Sequence, residues 1–268
     1  MRLRAAASLA PAVVVLVVLF GGALAGALRT SLVPLGGGAS LDAWRALLDD
    51  PVLPDAVLLT LRVTLASTLA SAALALLIAC ALRPRGTALR ALAALPVPVP
   101  HLLVATLAVL WLAPGGLADR ALGALPVDLV RDPWGLGIVA VYVYKETPFL
   151  VLLLLSVMGR ALGEREEAAA VHGASPWQRL RWVVWPTVRA PLVVGSIIVA
   201  AFVLGAFEVP LVVGPNYPPT LATYAYEATR GDLLAGEGVA AAALLVAALA
   251  AIALAAAAVR FARTAENA

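Results

Sequence analysis

Residues 57–82 read VLLTLRVTLASTLASAALALLIACAL, with a single charge, Arg62, in twenty-six positions. As a helix this run is about 39 Å long, enough to cross a hydrocarbon core of about 30 Å. Working outward, comparable apolar runs fall at 9–28, 91–113, 134–157, 188–213 and 239–261. The whole 268-residue chain is 63% hydrophobic and only 13% charged, with a mean hydropathy of +0.98. A soluble domain needs roughly a quarter of its residues charged to coat its surface, so a soluble enzyme is excluded. The expected fold class is all-α: a polytopic membrane protein of about six transmembrane helices, forming one domain over 1–268 with its core at about 57–261.

The net charge of +3 is explained by position and implies no nucleic-acid partner. Twelve arginines (2, 4, 83, 85, 90, 160, 165, 179, 181, 189, 260 and 263) lie before the first run or after the second, fourth and sixth. The alternate loops hold five (29, 45, 120, 131 and 230) and ten acids, among them Asp50, Asp55, Asp132 and Glu227. Cationic loops stay on the cytoplasmic side, so both termini are expected there, in a bacterial-type cytoplasmic (inner) membrane. The first run has a second reading, a signal peptide cleaved after Ala25, because basic residues, an apolar stretch and Ala23-Leu24-Ala25 also fit that pattern.

Proline marks special places. Pro96-Val97-Pro98-Val99-Pro100 removes donors at the head of the third run, which reads either as an irregular, kinked start or as an ordinary helix beginning. Pro148 and Pro210 interrupt the fourth and fifth runs, where freed carbonyls belong against protein or a water-filled path. Besides arginines near the ends of runs, three charged groups sit well inside them: Lys145 and Glu146 in the fourth and Glu208 in the fifth. Each costs at least about 2.5 kcal/mol to bury in lipid. Either Lys145 pairs with Glu146 or Glu208 as a helix tie, or Glu208, with Lys145 and Glu146, lines a translocation path. Arg62, near a span end, can snorkel. The single cysteine, Cys80, has no partner in the chain, and His101 and His172 stand alone as interface or loop residues, so neither a disulfide nor a metal site is expected.

The segment 159–189 is too long and too charged for a simple turn. An alanine-rich run through Val171 is a strong helix former, and Gly173 supplies a left-handed stop. Ser175, Pro176 and Gln178 then fit an N-cap, a first-turn proline and a capping-box partner for a second helix running toward Trp185. Read on its physics alone, this is a helix, glycine turn, helix hairpin on the surface.

Glu167-Ala168-Ala169, then Gly173, Val183 and Pro186, resemble the EAA loop of membrane permeases from ATP-binding cassette importers. Trp185 stands where leucine is usual. The runs Lys145 to Phe149 (KETPF) and Phe207 to Pro210 (FEVP) are similar to permeases of the polyamine, ferric iron, thiamine, sulfate and molybdate branch. The resemblance implies a cytoplasmic coupling helix carrying Glu167, Ala168, Ala169 and Gly173, docked on a separate ATPase subunit. It also implies a second permease chain, identical or homologous, and an extracytoplasmic substrate-binding protein. ATP-Mg would be bound by the ATPase, with no cofactor in this chain. The only lysine, Lys145, follows Tyr144, so no phosphate-binding G-x-x-x-x-G-K-[ST] loop is present. Two rivals from other classes remain at this point: a secondary transporter or channel relaying charge through Lys145, Glu146 and Glu208, and a membrane scaffold whose loop binds a soluble partner.

Overall fold

A computed structural model describes residues 10–33, 38–83, 87–123, 128–231 and 236–266. Arg2, Arg4, the start of the first run at Leu9, Arg85 and Asp232 lie outside the described residues. Among those described, the chain is helical with no strand, and six helical stretches are long and apolar enough to cross a membrane.

The first crossing is α1 (Ala10–Leu32), whose Val13 to Phe20 are all more than half exposed, as a helix in contact with lipid would be. A short α2 (Asp42–Asp49) leads into α3 (Leu53–Leu82). Along α3, Thr60, Thr64, Ser67, Thr68, Ser71, Ala75 and Ala79 are buried on one face. Small side chains there let α3 lie close against α7 (Leu136–Val157), the usual basis of helix packing where lipid removes the hydrophobic drive. Pro148 sits inside α7 without ending it.

The third run is not one helix. It divides into α4 (Thr87–Ala94) and α5 (His101–Leu112), separated by turns across the five-residue proline segment, so the kinked reading holds. A short α6 (Leu117–Leu122) follows α5. The loop hairpin begins with α8 (Arg160–Val171).

The fifth run departs from its expected boundaries at both ends. One helix, α9 (Pro176–Gly205), starts inside the loop, passes through a π turn at Leu180–Val184, and stops at Gly205. The wider turn lies immediately before Trp185 and Pro186, where a missing N–H would otherwise leave the ladder short. The second arm of the hairpin is thus the head of the fifth crossing. Gly195 lets α9 touch α7: a Cβ there would stand 2.5 Å from Leu153 and 2.8 Å from Leu150. Ala206 turns extended, and α10 (Glu208–Val213) begins a separate helix packed on α5. Pro210 falls in its first turn, where proline is tolerated, so it interrupts nothing. The last elements are α11 (Leu221–Gly231) and α12 (Gly236–Glu266).

Among the described residues, two apolar clusters hold the bundle. One joins α3, α5, α7, α9 and α10 around Tyr142, Ile138 and Leu150; the other joins α2, α3, α11 and α12 around Leu47 and Ala243. The end opposite the loop is fixed by polar ties. Asp132, 7% exposed, accepts the N–H of Trp134 (3.0 Å) in the turn before α7 and those of Leu136 (3.0 Å) and Gly137 (3.1 Å), otherwise orphaned donors at the head of α7. Arg62, expected to snorkel, places its guanidinium 4.6 Å from the centroid of the Trp134 ring.

Tyr224 of α11 donates to Asp50 Oδ2 at 2.7 Å, while Asp50 Oδ1 takes the Val52 N–H at 2.8 Å. Burial, and then this bond, push the phenol above its ordinary range. A raised pKa means the stabilisation is present below the unfolded value of about 10 and is lost as pH climbs through the folded one. Tyr224→Phe should therefore cost about 1 kcal/mol at neutral pH. Thermal unfolding in detergent, scanned from neutral to strongly alkaline pH, should show the gap between variant and native protein closing at the alkaline end.

Candidate functional site: the bent hairpin and the buried charges

Local sequence builds the hairpin. Helix α8 closes with the His172 N–H on Ala168 O (3.2 Å), the Gly173 N–H on Ala170 O (2.9 Å) and the Ala174 N–H on Ala169 O (3.0 Å). The last two are the paired bonds of a Schellman stop. Gly173 has φ +84° with open space around it, so glycine is needed there for its backbone conformation and not for room. Two residues later Ser175 Oγ accepts the Gln178 N–H (3.3 Å) and Gln178 Oε1 accepts the Ser175 N–H (2.8 Å). With Pro176 at the first helical position, this is the capping box expected from the sequence.

The four hairpin residues singled out in the sequence do not all face one way. Leu162, Glu166 and Ala169 follow one another at i, i+4 and i+7 and turn toward the bundle. Leu162 is buried. Glu167, Ala168 and Val171 are exposed on the opposite side, Val171 at 85%. A carboxylate, a small residue and a bare valine make a narrow ridge one helix wide. Trp185, the departure from the usual leucine, is half-buried against the main core.

Within the bundle the charges are arranged differently from either expected pairing. Lys145, 4% exposed, donates from Nζ to the carbonyls of Pro96 (2.6 Å), Val97 (3.2 Å) and Val99 (2.5 Å). Its partner is thus the proline break, not Glu146 or Glu208. Prolines 98 and 100 offer no N–H, so the chain leaves α4 as a series of tight turns, and a buried ammonium gathers the carbonyls left over. Glu146 Oε1 accepts from His101 Nε2 at 2.9 Å. His101, the first residue of α5, also lies 4.9 Å from the Phe202 ring and 6.3 Å from the Tyr142 ring. It is therefore a partner of the buried charges, which its isolation in the sequence concealed.

Glu208 is corrected in place. Because the fifth crossing ends at Gly205, Glu208 opens α10 and is exposed, not held inside a span. Lys145, Glu146 and His101 are brought together around the proline break, while the hairpin residues lie at the loop end of the bundle, apart from that cluster. His172 is exposed, its Nδ1–H donating to Ala168 O at 2.8 Å.

Comparison with known proteins identifies the family and the fold. The profile of the family described as "Binding-protein-dependent transport system inner membrane component" matches residues 71–265. The inner membrane ABC transporter permease protein YnjC of Escherichia coli (strain K12) is 32% identical over 207 residues, which is 76% of this chain but only 40% of YnjC. The sulfate transport system permease protein CysW of the same strain is 37% identical over 71 residues, 26% of this chain and 24% of CysW. The fold is similar to a chain in the crystal structure of a bacterial ABC transporter involved in the import of the acidic polysaccharide alginate. That likeness has a TM-score of 0.78 at 22% identity, over 96% of this chain and 94% of that one. With a matched segment that runs from the middle of α3 through the hairpin to the end of α12, this chain belongs to the family of binding-protein-dependent transport system inner membrane components.

Proposed function

We propose that this chain is the permease subunit of an ATP-binding cassette importer, with the 159–189 hairpin facing the cytoplasm and docked on a separate ATPase. The observation that carries the reading is the ridge of Glu167, Ala168 and Val171, held clear of the bundle by the Gly173 elbow. Alanine permits close approach, the carboxylate can meet a basic group, and the elbow sets the angle between α8 and the fifth crossing. ATP-driven closure of the ATPase pair would move α8 as a rigid body and α9 with it, since the two are joined by four residues with both ends capped. Hydrolysis belongs to the partner, which would hold the ATP-Mg; the only lysine here is engaged with carbonyls and follows no phosphate loop.

A second permease chain, identical or homologous, would complete the path, and Glu208, exposed beside the buried cluster's α5, would face it. A substrate-binding protein would deliver cargo at the opposite end, where Asp50, Tyr217, Tyr224 and Glu227 line a cavity of about 500 Å³. The runs around Lys145 and Glu208 favour polyamines, ferric iron, thiamine or oxyanions as cargo, and the relatives that share parts of the chain include permeases named for sulfate, molybdenum and trehalose.

Ala168→Arg puts a long charged side chain on the ridge while leaving α8 a good helix. It should lower the ATPase retained on purification in mild detergent by about tenfold or more, the equivalent of about 1.4 kcal/mol, with expression and monodispersity of the chain unchanged. Full retention of an ATPase by this variant would remove the docking role.

A further inference from the structure

The ridge explains one side of α8 and leaves the other unused. Turned toward the bundle, Glu166 pairs with the Arg83 guanidinium at the loop end of α3, with side chains only 13% and 23% exposed. The carbonyl of Arg83 in turn accepts from Arg90 Nη2 on α4. Glu166, Arg83 and Arg90 thus form one continuous polar chain from the hairpin through α3 to the helix that leads into the proline break.

Close packing normally transmits displacement between helices. Here a partly open cavity of about 400 Å³ adjoins α8, lined by Arg83, Arg90, Gly163, Glu166 and Arg179 among others, with the exposed Glu167 of the ridge at its edge. Beside this cavity α8 meets the body through Leu162 in the core, through packing on the π turn of α9, and through the ion pair as its polar tie. Arg83 is also the cap of α3, its N–H on Ala79 O at 2.9 Å, so a pull on its side chain acts directly on that helix end. Largely withdrawn from solvent, the pair is screened less than one in open water.

We infer that Arg83 and Glu166 form a latch that carries movement of the hairpin into α3 and, through Arg90, into α4. Both are positioning residues. The inference rests on the proposed docking of α8 to an ATPase, and it adds a second output to that lever besides the direct one into α9.

The chain's one cysteine, Cys80, lies three residues before Arg83 and is half-buried, which makes it a native reporter on that helix end. The transporter is purified with its ATPase in nanodiscs, and N-ethylmaleimide addition to this chain is timed by intact mass spectrometry, without nucleotide and with ATP plus vanadate. In the native complex the two rates should differ by about fivefold, the low end of ordinary coupling between sites. Arg83→Glu and Glu166→Arg singly should bring the ratio to about one while the ATPase stays bound and hydrolyses ATP, and the exchanged double variant should restore at least about half of the native ratio. Where a single variant cannot be purified, Glu166→Gln, which keeps the shape and removes the charge, is scored in its place. A native ratio near one, single variants that keep the native ratio, or an exchange that restores nothing would each overturn the latch and leave docking standing. A native chain that retains no ATPase would overturn the docking itself, and the latch with it.

Discussion

Gly173→Pro should abolish retention of a partner ATPase while leaving the six crossings inserted. The native elbow needs φ +84° at this position and an N–H donated to Ala170 O. Proline fixes φ near −65° and has no N–H, so both requirements fail together, and the residue before it, His172, is pushed away from its near-helical backbone as well. The capping box of Ser175 and Gln178 still closes the head of α9, while α8 loses the Gly173 bond of its stop, so the damage falls on the last turn of α8 and the joint. A graded series separates geometry from bulk. Space around Gly173 is open, so Gly173→Ala meets no clash and pays only the left-handed penalty of about 1–2 kcal/mol, while Gly173→Asn, which tolerates that conformation better, should lie nearer the native chain. The order Gly, Asn, Ala, Pro in retained ATPase, measured on chains of equal yield and monodispersity, is the expected result. Equal retention across the series would mean that the elbow angle does not matter to the partner.

What the sequence made legible follows the range of the interactions concerned. Ser175, Pro176, Gln178 and Gly173 act on backbone groups within a few residues of themselves, and each was readable as a cap, a first-turn residue or a stop because no distant partner is needed to complete it. The six crossings were legible for a similar reason, since length and apolarity are properties of a segment alone. Glu208 was placed inside the fifth run because Gly205-Ala206-Phe207 is apolar enough to be continued through. Hydropathy registers the medium a segment prefers and does not register that its backbone turns extended at Ala206. In the loop the opposite happened: the polar stretch after Ser175 looked separate from the crossing, although its helix runs on without a break to Gly205. The partners of Lys145, Glu146 and Arg83 were beyond reach for a different reason. They lie 46 to 49 residues away for Lys145 and 45 for Glu146, and an acid adjacent in sequence, as Glu146 is to Lys145, points to a different side of the helix. Glu166 and Glu167 are likewise neighbours whose separation of about 100° around the helix sends one to Arg83 and leaves the other exposed.

Lys145→Met should be the most destabilising single change in the bundle. Methionine matches the length of the lysine stem and keeps its apolar contacts, so the variant isolates the ammonium. Its loss strands the carbonyls of Val97 and Val99 beside the middle of α7 and leaves Pro96 O with only the Val99 N–H, at a long 3.3 Å. Hydrogen bonds to a charged donor contribute about 1.5–3 kcal/mol each, and an unsatisfied buried acceptor costs about 1–3 kcal/mol. Because the three share one donor, the expected loss is about 3–5 kcal/mol and not their sum. Lys145→Arg should not rescue, since a planar fork cannot gather three carbonyls around one point as an ammonium does. Pro100→Ala offers the decisive control: in a continuous helix the carbonyl of Pro96 would accept from the N–H of residue 100, which proline lacks. Adding Pro100→Ala to Lys145→Met should therefore recover part of the lost stability by giving that carbonyl a further local partner, whereas in the native background the same change should gain little. Thermal unfolding of the four chains in one detergent tests this. Additive effects of the two substitutions would show that Lys145 stabilises the bundle by something other than closing the proline break.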